Sequence, residues 1–113
     1  MATRNVLSAS TLIGDDIRNP QGEDLGTVKE IMLDIANKTV AYVVVSYGGF
    51  LGLGDKLFAI PFERFTVDED EKCFVLDLDE EALKNAPGFD KDNWPDFADV
   101  TWGKSITDYY GRF

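Results

Sequence analysis

The chain has no histidine and a single cysteine, Cys73. Without an imidazole it lacks the side chain that most often serves as general base, proton shuttle or metal ligand near neutral pH. One thiol cannot close an internal disulfide, cannot build a zinc site and here has no imidazole to activate it, so a buried or edge-strand role is expected for Cys73. Long hydrophobic runs are also missing. The longest, Val40 to Tyr47, is strand-sized and far short of the roughly 20 residues that span a bilayer. The opening "MATRNVLSASTLIG" has one Arg and no apolar stretch of signal-peptide length. The expected location is therefore the cytoplasm, without membrane insertion, and a free thiol agrees with a reducing compartment.

Basic residues are scarce. Eleven Lys and Arg face twenty-one Asp and Glu, for a net charge of −10. Through Lys56 there are 5 basic and 7 acidic residues, and beyond it 6 and 14, so the negative potential is concentrated in the C-terminal half. The cations are scattered singly, whereas phosphate backbones and anionic lipids are bound by clustered Lys and Arg. Direct nucleic-acid binding is accordingly not expected. The carboxylates themselves follow no calcium-loop spacing, because "DKDNWPD" lacks the turn glycine and the closing glutamate. They suit solvated turns and helix caps. No catalytic residue, cofactor-binding residue or metal ligand is assigned, and the expectation is a chain that is not an enzyme and carries no cofactor. A small-ligand or divalent-metal module built on the acidic C-terminal half is the alternative.

What is present reads mainly as β structure. At 113 residues the chain is long enough to bury about two-thirds of its unfolded surface in one core. "SASTLIG" can form a short helical turn capped by Ser8 or Ser10, and Asn19-Pro20-Gln21-Gly22 has turn chemistry. From Leu25 to Ile35 the apolar spacing fits either period. Leu25, Val28, Ile31, Met32 and Ile35 would line a helix, while Thr27, Ile31, Leu33 and Ile35 alternate; the β-branched content and flanking turns favour a strand. Val40–Tyr47 is the clearest strand, apolar on both faces and expected at the centre. Strands at Leu57–Ile60 and Phe65–Asp68 follow, then "KCFVLDLD", with Phe74, Leu76 and Leu78 on one face. Asp79 can cap a helix over Glu80–Ala86, and Trp102, Ile106, Tyr109 and Tyr110 form a helical stripe closed by Gly111. The aromatic loop between these helices is expected to wrap back over the sheet.

The stretch "YGGFLGLGDKLFAIPF" has glycines at 49, 52 and 54, which invites a phosphate-cradle reading. Such a cradle needs a following helix N-terminus, but "LFAIPF" alternates like a strand and holds a proline, so the loop is read as a strand connector. Phe50, Leu51 and Leu53 within it are either core plugs or a contact surface. Trp94, Trp102, Tyr109 and Tyr110 are open to the same two readings, and all seven are the candidate interface residues.

The segment from Leu12 to Phe65 resembles a PRC-barrel domain. The resemblance rests on Gly14, the turn "NPQGEDLG", Asp34 before the hairpin, the valine strand, "GGFLGLGDK" and "AIPF". It implies a small PRC-type β barrel of about six strands over residues 1–80, with a short helical C-terminal extension over 81–113 packing on it. Members of this family include the cytoplasmic domain of the photosynthetic reaction-centre H subunit and the C-terminal domain of a ribosome maturation factor. The family pattern carries no catalytic motif. It implies an adaptor or assembly module acting through protein–protein contacts, with a homodimer among the possible arrangements.

Overall fold

Six strands are present: β1 (Asp16–Arg18), β2 (Asp24–Asp34), β3 (Thr39–Tyr47), β4 (Lys56–Pro61), β5 (Phe65–Asp68) and β6 (Cys73–Leu76). They belong to a computed structural model that describes residues 6–48, 56–68 and 70–113. A helical turn, α1 (Ala9–Leu12), precedes the strands; α2 (Glu80–Lys84) and α3 (Val100–Tyr110) follow them. The strands form one sheet in the order β4-β3-β2-β1-β6-β5, antiparallel throughout except for the parallel pair β1 and β6.

This order forces the sheet to curl. β4 and β5 lie at its opposite edges, yet only the 3-10 turn Phe62–Arg64 joins them. Across a flat six-stranded sheet the edges would be about 24 Å apart. The chain from Pro61 to Phe65 reaches at most about 14 Å. The sheet therefore bends into a half-barrel, which is the mainly β barrel architecture expected above.

β2 settles the ambiguous period of its segment. It is a strand whose register shifts against β1 between Asp16 and Arg18, and against β3 between Val28 and Glu30 and between Met32 and Leu33. The first two shifts each place one extra residue in β2, so the spacing of its inward side chains lengthens locally from two to three; the third places it in β3. Leu25, Val28 and Ile31 thus all pack on the core at a helix-like interval although the backbone is extended.

The core lies inside the curl. Val43 and Val45 of β3 pair with Ile60 and Phe58 of β4, and Ile17, Leu25, Val28, Phe74 and Leu76 complete the layer. On the other face of β3, Val44 and Ala59 are paired and also fully buried. The C-terminal segment covers this side. Tyr42, on the same face as Val44, meets Phe97 at 5.8 Å and Trp102 at 5.4 Å between ring centroids, and Phe97 meets Trp102 at 4.8 Å. The segment is stitched to β4 by two backbone hydrogen bonds between Leu57 and Phe89, of 2.9 and 2.8 Å. Gly88 makes that approach possible: a Cβ there would meet the Leu57 carbonyl oxygen at 2.9 Å.

The helices differ in detail from their sequence signals. At α1, Ser8 occupies the N-cap position but its side chain makes no capping bond; its hydroxyl pairs instead with that of Ser10 at 2.9 Å. α2 ends at Lys84 rather than Ala86, with Asn85 as its C-cap. α3 is capped by Asp99, whose Oδ1 accepts from the Thr101 and Trp102 N–H groups at 2.9 and 3.3 Å. Gly111 closes it in a right-handed conformation, not the left-handed one for which glycine is favoured.

Tyr110 is the largest buried side chain, 1% exposed. No protein group among the described residues reaches its hydroxyl. A buried hydroxyl without a partner costs roughly 1–3 kcal/mol. Tyr110→Phe is therefore expected to leave stability unchanged or raise it by up to about 1 kcal/mol. A urea melt showing a loss of more than about 1 kcal/mol would reveal a hydrogen bond to that oxygen.

Candidate functional site

The acidic turns, read above as solvated turns and helix caps with a ligand or metal module as the alternative, are engaged in local structure. Asp68 Oδ1 accepts from the backbone N–H groups of Asp70 and Glu71, each at 3.1 Å, and Ala98 N–H donates to Asp96 Oδ1 at 2.9 Å. Asp34 takes both the N–H and the side-chain amide of Asn37, at 3.1 and 2.8 Å. The side-chain bond from Asn37, followed by the backbone bond, lowers the Asp34 pKa below 3.8. Among the described residues no three His, Cys, Asp or Glu side chains converge in a metal-holding group, and Cys73 is buried.

Two tyrosines hold α2 in place, one from the sheet and one from α3. Tyr47 of β3 donates its hydroxyl to the Glu80 carboxylate, and Tyr109 donates to the Ala82 carbonyl at 2.5 Å. Desolvation, reinforced by Glu80, raises the Tyr47 pKa; desolvation also raises those of Tyr42 and Tyr110. For a phenol this favours the neutral form in the fold. Stability from these groups is thus full below the ordinary pKa of 10.0 and is lost as the pH rises through the folded values. In an ultraviolet titration of the native protein, three of the four tyrosines are expected to ionise later than in the urea-unfolded chain. Coincident native and unfolded curves would contradict this.

Of the seven candidate interface residues, four lie among the described residues. Phe50, Leu51 and Leu53 lie outside the described residues. Tyr110 is in the core, and Trp102 and Tyr109 are half-buried and packed against it. Trp94 remains 40% exposed, with its ring in tilted contact with Phe89 at 5.1 Å. Trp94 and Trp102 both meet Phe97, at 6.2 and 4.8 Å between centroids, and Tyr109 meets Tyr110 at 5.1 Å.

A different apolar surface lies at the far end of the β2–β3 hairpin. Here β2 extends past β1, and its side chains Ile31 and Leu33 face Val40, Phe62 of the 3-10 turn, Val67 of β5, and Leu7 and Leu12 around α1. Together they line an open apolar groove of about 320 Å³. Beside it, Leu33 is 61% and Ile35 77% exposed. Sequence reasoning missed this surface because Leu33 and Ile35 fit an ordinary half-buried strand. The bulges and the shortness of β1 are what leave them uncovered.

The turn "NPQG" provides a second feature that its composition only hinted at. Asn19 is buried, accepts from the Gln21 and Glu23 N–H groups, and donates to the Leu78 carbonyl, just past the neighbouring strand β6, at 3.3 Å. One amide thus both shapes the turn and ties it to the strand end before α2.

A curled six-stranded half-barrel with no metal-holding group of His, Cys, Asp or Glu among its described residues, and with an apolar groove at one end, defines a small β-barrel module. The PRC-barrel domain family matches residues 4–83, and the chain belongs to that family. No curated protein matches it at significant similarity. Among the described residues no helix is long and apolar enough to cross a membrane.

Proposed function

We propose that this PRC-barrel chain is a non-catalytic adaptor or assembly module that acts by contact with another protein, in the cytoplasm. The observation that carries this reading is the groove at the hairpin end, with Leu33 and Ile35 exposed beside it. Contiguous apolar surface is costly in water, and on a folded domain it marks a place where a partner excludes that water. Membership of the PRC-barrel family and the lack of a histidine agree with it. A homodimer is the less favoured arrangement at this surface, because each copy carries −10.

Crosslinking in the native cell with the wild type and with Leu33→Asp tests the proposal. Leu33 is solvent-exposed, so the variant is expected to fold and melt as the wild type does. A partner recovered reproducibly with the wild type and lost with Leu33→Asp supports the reading. A strictly monomeric protein with no reproducible partner, or capture indifferent to Leu33, overturns it.

A further inference from the structure

The groove runs along a strand edge that the sheet leaves open. β1 pairs with β2 only over Asp24–Thr27, and the last bonds on that side join Val28 to Gly14 and Asp15. From Glu30 to Asp34, β2 is paired with β3 alone among the described residues. At Ile31 the backbone N–H is taken up by the carboxylate of its neighbour Glu30, at 3.0 Å. This is a local substitute for a ladder bond, and it can be released when a strand arrives. Ile31 and Leu33, two residues apart, point into the groove, as alternate residues of one strand do.

The charges beside the groove select the kind of segment that fits. At the β5 end, Leu7, Leu12 and Val67 continue into a cleft bordered by Asp15, Asp68 and Lys72, with Asp70 alongside Val67 and Asp68. Three carboxylates there face one ammonium. At the hairpin tip Asp34 and Lys38 balance each other. The groove volume, about 320 Å³, is at the small end of the range for organic ligands, about 300–1,000 Å³. It suits a few aliphatic side chains delivered by a peptide.

Building on the contact role proposed above, we infer that the open edge of β2 accepts an extended peptide segment of a partner protein as an added strand. Alternate apolar side chains of that segment enter the groove, and Lys or Arg residues at one end lie over Asp15, Asp68 and Asp70. Main-chain bonds supply the pairing, and the groove and the carboxylates supply selectivity. A second copy of this acidic chain does not offer that complement.

The test titrates the isotope-labelled full chain with two synthetic peptides, followed by amide NMR. One alternates Val and Thr and ends in Lys-Arg-Lys; the other is identical but ends in Glu-Glu-Glu. The basic peptide is expected to shift the Ile31, Leu33 and Val67 amides and to slow hydrogen exchange at Ile31. Its affinity is expected to fall at least about tenfold with Leu33→Asp, and to fall with the Asp15→Asn/Asp68→Asn pair and with added salt. The acidic peptide is expected to bind at least about tenfold more weakly. Equal binding of both peptides, no shift at these amides, or a helical bound peptide overturns the inference. If the peptides fail while cellular capture still depends on Leu33, the contact role stands and only the extended, basic nature of the partner segment is wrong. If capture is indifferent to Leu33, the contact role at this surface falls as well.

Discussion

Gly26→Ala is expected to destabilise the fold by about 3 kcal/mol or more, and Gly26→Val to prevent folding. Gly26 sits in β2 with φ +98°, where a side chain is strained by roughly 1–3 kcal/mol. The greater part of the effect is steric. A Cβ at this position would lie 2.1 Å from the Ser46 carbonyl oxygen and 3.2 Å from the Tyr47 Cα. Both are backbone atoms of β3, so relief requires the β2–β3 ladder to separate next to the buried Leu25, Val28 and Val45. Gly22 is the control: its φ is +86°, yet nothing lies within 4 Å of a Cβ built there. Gly22→Ala should therefore lose only the dihedral part. Denaturant melts of the two variants measure the difference directly. Equal losses would mean that the close approach of β3 to Gly26 is absent.

Phe74→Ala is expected to cost about 3–5 kcal/mol, a large share of the 5–15 kcal/mol that stabilises a typical domain. Phe74 is fully buried in β6, between Ile17 of β1 and Val67 of β5, and sets its ring edge-on to Phe65 at 5.7 Å. Truncation leaves a cavity at the parallel β1–β6 seam and removes an aromatic pair worth roughly 0.5–1.5 kcal/mol beyond its area. Phe74→Leu keeps most of the volume and should lose less than about 1.5 kcal/mol. A Phe74→Ala protein within about 1 kcal/mol of the wild type would show that the seam can collapse around the gap.

These two positions differ in how far the sequence discloses them. Phe74 was readable from alternation alone, since Phe74, Leu76 and Leu78 share a face in "KCFVLDLD" and all are buried. Gly26 was not, because its need for glycine comes from a carbonyl twenty residues away on another strand. The segment around it looked half helical for a related reason. Bulges displaced its apolar residues from the strict two-residue period, and a bulge is a property of paired strands rather than of one sequence window.

The tail shows the same division. Its aromatic residues announced that the loop after α2 could not float free, and it packs over Tyr42 on the outer face of β3. Which of them would be consumed in that packing was not legible. Trp102 and Tyr109 are partly covered and Tyr110 completely, while Trp94 keeps 40% of its surface exposed.

Composition and local pattern determined the class of this protein: strand periodicity placed the β elements, turn residues separated them, and the absence of histidine removed the commonest catalytic and metal chemistries. Tertiary structure alone decided where an apolar groove lies open. The groove exists because β1 begins only at Asp16 and β6 only at Cys73, both level with Thr27, while β2 runs on to Asp34 and the curl brings Val67 and Phe62 around to face it. Relative strand lengths and the closure of the sheet are relations between distant segments, so no single stretch of the chain contains them.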